Sequence, residues 1–346
     1  YNTGDSERLV GASVSTLAAD QATIATKVNP RVADVFDATA LSAQLEESLH
    51  RLDRDAVDLL YLHFPDPRTP LETTLDACAE LHAKGKFRAL GLSNFPAWQV
   101  VEVWHLCERY GWPQPTVYQG LYNGLSRGVE AELLPALRRH GMRFYAYNPL
   151  AGGILAGRYT GMADEPTPGR FTFRPNYRNR YWKKPFFGAL ELLSAACREH
   201  DIPLVQAAYG WLMHHSGLST AAGDGIILGA SSLAQLQQNL EAMRQPQLPT
   251  PIAEAFEAAW AAARFISDIF TFLNVSERAS GTNRRRRDES APRTPLTAGP
   301  RLAQSAKQAH LLGMKLTNFT NYALRILQFA ALRDPDHVRM EDVARA

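Results

Sequence analysis

Apolar residues along the chain fall into two alternating patterns. Short runs rich in Val, Ile, Leu, Tyr and Phe recur at TIATKV (23–28), VDLLYLH (57–63), FRALGLSN (87–94), PTVYQG (115–120), RFYAYNPL (143–150) and GIILGA (225–230). Between them lie longer segments with apolar residues at helical spacing: ALSAQLEESLHRL, PLETTLDACAELHAKG, WQVVEVWHLCERYG and VEAELLPALRRHG. Two more helices fall near 185–200 and 203–215, and SLAQLQQNLEAMR follows the sixth run. Such alternation predicts repeated βα units and a parallel sheet.

A parallel sheet of this kind closes into an α/β barrel of eight strands, whose active site collects where the βα loops converge, at the strands' C-terminal ends. The residues at those ends are Lys27, His63, Ser93 and Asn94, Gln119, Tyr147 and Asn148, then Gly229 with Ser231 and Ser232. A lone histidine at a strand end is ordinarily a half-buried side chain with a hydrogen-bond partner. Polar groups at six successive strand ends exceed what a purely structural barrel requires. His63 is therefore expected at the mouth, beside Lys27.

Two loops near that mouth suit phosphate. NPLAGGILAGRY is Gly-rich and its backbone can approach a pyrophosphate; its candidates are Asn148, Pro149, Leu150, Gly152, Gly153, Leu155, Gly157 and Arg158. GASSLAQLQQNL offers hydroxyls and N–H groups at a helix start, with Gly229, Ser231, Ser232, Gln235, Gln238 and Asn239 as candidates. Either loop alone reads as an ordinary turn, but the last two strands of a barrel are where phosphate binds. GRFTFRPNYRNRYWKK (169–184) reads as a long loop over the mouth. Arg178 or Arg180 would meet a substrate carboxylate there, with Trp182 as an apolar wall and Tyr181 as a further substrate-binding candidate. A solvated surface loop is the plainer alternative.

Composition narrows the function classes. A formal charge of +2 implies no polyanionic partner for the whole chain. Cys78, Cys107 and Cys197 are far apart in helical segments, so neither a disulfide framework nor a metal cluster is expected and a reducing, cytoplasmic setting fits. No apolar run reaches membrane-spanning length. His50, His82, His105, His140, His214 and His215 fall in helical segments and read as structural.

The residues and motifs together resemble the aldo-keto reductases, in particular the aflatoxin-aldehyde reductase branch, over about residues 1–264. YNTGDSE resembles that branch's loop beginning with the catalytic tyrosine; ATKVNP, DLLYLHFPD, GLSNF, PTVYQGLYN, YAYNPLAGGILAGRY, YRNRYWK and ILGASSLAQLQQNL follow in the family's order. The resemblance implies reduction of aldehydes or dicarbonyls with NADPH in a (β/α)8 TIM barrel. It makes Tyr1 the proton donor, Lys27 its activator and His63 the group that orients the substrate carbonyl. Ser93, Asn94 and Gln119 would hold the nicotinamide amide, and Tyr147 would stack on its ring. GASSLAQLQQ contains no cation for the extra phosphate of NADPH. The small-molecule aldehyde or ketone is the expected partner; a homodimer is left open. The same barrel also serves as a non-catalytic, cofactor-sensing channel subunit, which is the competing expectation.

Both ends of the chain carry expectations of their own. Six runs against eight strands, and an opening on Tyr1, predict a barrel lacking its first two strands, about 40 residues at ordinary element lengths. Residues 265–313 turn Arg-, Pro- and Ser-rich and are expected to be a disordered spacer. MKLTNFTNYALRILQFAALRDPDHVRMEDVARA (314–346) resembles the first helix of winged-helix repressors that sense iron-sulfur clusters or nitric oxide. The chain holds no recognition helix, wing or cluster cysteines after it, so DNA binding in that manner is not expected, and a regulator fusion stands as a third alternative. Two joined reading frames are the economical expectation for this end.

Overall fold

Each βα unit forms because one strand face and one helix stripe are apolar and must be covered together. The computed structural model describes residues 4–15, 17, 21–33, 36–166 and 169–279, with side chains as far as 264. In chain order these are α1 (Asp5–Val14), β1 (Ala25–Val28), α2 (Ala38–Leu52), β2 (Val57–Leu62), α3 (Leu71–Ala83), β3 (Phe87–Ser93), α4 (Ala97–Tyr110), β4 (Pro115–Leu121), α5 (Leu133–Arg139) and β5 (Arg143–Tyr147). There follow α6 (Arg170–Phe173), α7 (Pro175–Tyr181), α8 (Lys184–Glu199), α9 (Leu204–His214), β6 (Gly225–Ile226), α10 (Leu233–Met243) and α11 (Thr250–Ala279). The strands lie in the order β1-β2-β3-β4-β5-β6, every neighbouring pair parallel. The fold is α/β with a parallel sheet of barrel type, as the alternation predicts.

Side chains alternate across a strand, so the sheet has two apolar faces. Leu60 and Leu62, Leu90 and Leu92, Tyr118, and Phe144 and Ala146 pack beneath the helices in the main core. Leu59, Tyr61, Val117 and Tyr145 form a separate inner cluster with Ala25, Ala89 and Ile227. This inner cluster is the floor beneath the mouth.

Polar groups fix how the strands start. Asp58 accepts from the Ile24 backbone N–H at 2.8 Å, setting β2 against the entry to β1. Asp224 accepts from the N–H groups of Phe144 (2.7 Å) and Ser219 (2.9 Å) and pairs with Arg138, which seats β6 beside β5. On the outer face of β1, Glu7 accepts from Thr26 and from Arg51, tying α1, β1 and α2 together.

Several boundaries differ from the sequence expectation, three of them in ways that bear on the site or the tail. β5 stops at Tyr147 and not at residue 150, because Asn148 adopts φ 61° and Pro149 has no N–H to donate. β6 is two residues long, although Ile227 still donates to Ala146 O at 2.8 Å. α11 continues helically to Ala279, past residue 264 where the spacer was expected to begin. Tyr1 and all residues from 280 onward, with the repressor-like segment, lie outside the described residues.

Candidate active site

Strand parity brings the predicted residues together. The inner face runs Ala25–Lys27 on β1, Leu59–Tyr61–His63 on and just past β2, Ala89–Gly91–Ser93 on β3, Val117–Gln119 on β4 and Tyr145–Tyr147 on β5. The register supports this: Lys27 lies opposite Tyr61, Tyr61 opposite Gly91, Ser93 opposite Gln119 and Leu121 opposite Tyr147. His63 donates its backbone N–H to Val28 O at 3.0 Å, so the ladder carries on one residue beyond β2. Going toward the C-terminal ends, apolar inner residues give way to Lys, His, Ser, Gln and Tyr.

A chain of hydrogen bonds joins these ends. Asn94, at φ 63°, donates its amide to His63 O (2.9 Å) and Ser93 Oγ (3.0 Å), and its carbonyl accepts from the Tyr147 hydroxyl (3.0 Å). Ser93 Oγ donates to Gln119 O at 2.9 Å. Four strand ends are thereby held by two short side chains. The Lys27 ammonium sits 4.9 Å from the centroid of the Tyr61 ring, and the His63 ring stacks on Phe64 at 4.3 Å. Ser93 and Asn94, expected at a cofactor, are bonded to each other and to their neighbours.

The Gly-rich loop after β5 is a 3-10 turn, Ala151–Ala156, in which Gly152 and Gly153 take φ 73° and 115°. A Cβ on Gly152 would come within 2.9 Å of Tyr181 and 3.0 Å of Tyr177, so the loop lies directly on those rings. Asn148 Oδ1 accepts from Arg170 and from the Tyr177 hydroxyl, each at 3.3 Å. Its Nδ2 is buried with no partner among the described residues. Asn123, which the sequence reading passed over, donates to Asn148 O at 2.9 Å and accepts from Leu125 N–H at 2.9 Å. Its signal was a polar residue at a strand exit in the YNG turn, where only turn residues were sought.

Several expected site residues are placed differently from expectation. The 169–184 segment forms two short helices, α6 and α7, and not a loop, because Pro175 starts a helix at its first position. Tyr181, a substrate-binding candidate in the sequence, is fully buried, its hydroxyl 3.4 Å from Asn123 Nδ2 and its ring against the Gly-rich loop. Arg178 is exposed, whereas Arg180 is half-buried among Tyr147, Tyr177 and Tyr181. Burial pushes the Arg180 cation toward neutrality, but the tyrosines outweigh it and keep the guanidinium firmly protonated. Trp182 packs against Tyr159 (5.0 Å), Phe171 (5.3 Å) and Phe187 (4.9 Å). Leu155 is core, leaving only its backbone for a ligand, while Gly157 and Arg158 are exposed.

At the second phosphate candidate the polar groups satisfy the turn itself. Gln235 Oε1 accepts from Ser231 N–H (2.8 Å) and Oγ (2.6 Å), Ser232 Oγ caps α10 through Gln235 N–H, and Asn239 donates to Gly229 O at 3.2 Å. Gln238 is exposed. All three cysteines are free and buried, with burial pushing the thiols of Cys107 and Cys197 up to about 12 and about 11. Thiols held that far above neutrality are poor nucleophiles. Among the described residues no group of three His, Cys, Asp or Glu could hold a metal, and no helix is long and apolar enough to cross a membrane.

The arrangement fits a dinucleotide with a reacting ring at the mouth. The buried, unpartnered Asn148 amide, the positive-φ glycines and the Gln119 side chain offer donors and close backbone approach on one side of the Lys27–His63 pair. Polar side chains gathered at the C-terminal ends of parallel strands are the layout of a barrel enzyme's active face. Residues 1–261 match the model of the aldo/keto reductase family, and the chain belongs to that family. It is 47% identical over 271 residues to aflatoxin B1 aldehyde reductase member 2 of Mus musculus, covering 75% of this chain and 74% of the mouse protein. It is 45% identical over 279 residues to aldo-keto reductase family 7 member A3 of Homo sapiens, covering 75% and 82%. A more distant relative, a Pseudocercospora fijiensis aldo-keto reductase, is 40% identical over 230 residues, 65% of this chain and 77% of its own.

Proposed function

We propose that this protein reduces aldehydes and dicarbonyls to alcohols with NADPH. The observation that carries the proposal is the inner-face series Lys27, His63, Ser93, Gln119 and Tyr147, continuing an apolar barrel floor into a polar mouth. When bound, the nicotinamide supplies the hydride. The chain's own residues handle the proton and the charge. Tyr1 would donate the proton to the carbonyl oxygen; a phenol is a weak acid at neutral pH, and an ammonium beside it, the part given to Lys27, would favour its phenolate. His63 would donate to the same oxygen as it becomes negative.

Ser93, Asn94 and Gln119 would face the carboxamide, since amides both donate and accept, and Tyr147 would lie against the ring. Asn148 with the Ala151–Ala156 turn, and Gly229 to Asn239, would take the phosphates. Arg180, kept charged among tyrosines, would meet a carboxylate on the substrate. Titrating NADPH and NADH against the intrinsic fluorescence, then adding a panel of aldehydes and following loss of the reduced cofactor, tests the proposal. Saturable binding with turnover, tighter for NADPH, is expected. Binding without turnover would favour the non-catalytic barrel, and no binding would overturn both.

A further inference from the structure

The inner floor contains a residue whose placement the reaction does not explain. Tyr61 is 1% exposed, and its hydroxyl is buried with no hydrogen-bond partner among the described residues. A leucine would fill a barrel floor without stranding a polar atom. The ring, however, has a defined seat: a Cβ on Gly91 would stand 2.6 Å from ring Cδ1 and 3.1 Å from Val117, so the ring occupies the space that a side chain at Gly91 would need. Lys27, Tyr61 and Gly91 are successive partners across β1, β2 and β3, so strand pairing itself dictates the contact. The Lys27 ammonium lies over the ring at 4.9 Å, within range of attraction to its electron-rich face.

We propose that Tyr61 is a positioning residue for Lys27, its ring face forming a fixed seat that aims the ammonium at the barrel mouth. The proposal rests on the reading of Lys27 as the cation that activates the proton donor. Burial, with the neighbouring Tyr145 adding to it against Arg143, holds the Tyr61 phenol well above its ordinary range. Tyr61 therefore holds its proton too tightly to compete as a proton donor; the ring, not the hydroxyl, carries its role. The feature is specific, since an aliphatic residue of similar volume keeps the floor packed and removes the electron-rich face.

The test uses the full chain with its lysines converted to ¹³C-dimethyl-lysines, which keep their charge. The Lys27 resonance, assigned by its loss in Lys27→Arg, is expected to be displaced upfield by the ring beneath it. Tyr61→Phe should keep that displacement and turn over within about twofold of the parent protein. Tyr61→Leu should bring the resonance to the position of exposed lysines and lower kcat roughly tenfold with KM little changed, the size expected for one desolvated cation–π contact. Should Tyr61→Leu fail to fold, Gly91→Ala displaces the ring from its seat while keeping it in the chain, and gives the same readout. An unchanged Lys27 resonance in Tyr61→Leu, or in Gly91→Ala, overturns the proposal. A shifted resonance with unchanged kcat would uphold the seat and overturn instead the activating role of Lys27.

Discussion

Asn94 and Asn148 occupy matching places and meet different fates. Each follows the end of an inner strand, and each takes the left-handed backbone region, at φ 63° and 61°, which asparagine tolerates better than most residues. Asn94 is bonded through both amide and carbonyl at 2.9–3.0 Å to groups on or next to β2, β3 and β5. Asn148 accepts two contacts of 3.3 Å from α6 and α7, and its amide nitrogen has no partner among the described residues. The difference lies in what surrounds them. Parallel strands 4.7–4.9 Å apart bring rigid partners to one asparagine, while the other meets two helices too short to be stable on their own. The strand-end side of the mouth is organised in advance; the loop side keeps donors in reserve.

The largest effect should come from the pair that the strand ends carry. Lys27→Met or His63→Ala is expected to lower turnover by about 10²–10⁴-fold while the thermal transition stays near that of the parent. A variant of either residue within tenfold of the parent rate would remove the reason to treat the strand-end side as the chemical one.

Next is the support behind Lys27. Glu7 and Arg51 are partly buried together, their side chains 12% and 15% exposed. Burial raises its carboxyl pKa, but hydrogen bonds from Thr26, Arg51 and Ser48, with the Arg51 charge, outweigh this and leave it below its ordinary 4.5. Glu7→Gln should cost about 2 kcal/mol in urea unfolding at neutral pH, because it weakens charge-assisted hydrogen bonds from Thr26 and Arg51, although Arg51 keeps Glu47 as a second partner. The sign follows from the depressed pKa: the unfolded chain binds the proton first. The stabilisation is therefore fully present above 4.5 and is lost as pH falls through the lower folded value. The gap between parent and Glu7→Gln should narrow in acid; a gap that widened there would contradict the assignment.

The comparison itself is sharpened by two matched substitutions. Asn94→Ala and Asn148→Ala carry the same backbone penalty, roughly 1–2 kcal/mol for alanine in the left-handed region. Asn94→Ala should cost about 1–2 kcal/mol more, since it also strands the buried groups it binds. Equal losses in denaturant unfolding would break the distinction between the two sides. Tyr177→Phe, which removes one 3.3 Å contact to Asn148, should change stability by less than about 0.5 kcal/mol. A loss above about 1 kcal/mol would show the loop side to be as firmly held as the other.

The strands were legible because period-two alternation and βα spacing are local properties. β2 and β3 end one residue earlier than their sequence runs and β4 one residue later, and parity alone puts Lys27, His63, Ser93, Gln119 and Tyr147 on one face. The 169–184 segment was less legible: its Arg and aromatic residues have no clear period, and nothing local distinguishes a loop proline from Pro175, which begins α7. Asn123 and Tyr61 went unnoticed for a related reason. Nothing in YNG or LLYLH says which buried polar group will find a partner, since that depends on strands 25–30 residues away in the chain.

By itself, then, the amino-acid order determined the kind of sheet, the face each strand residue takes and the polar rim, because side-chain alternation and helical period need no distant information. Tertiary structure decided which of those polar groups hold the mouth together. It placed Tyr181 beneath the Gly-rich loop, bonded Asn94 across three strands and set Lys27 over the Tyr61 ring. Hydrogen bonds and ring contacts act over a few ångströms in space, and only pairing of the strands brings residues so far apart in the chain within that range.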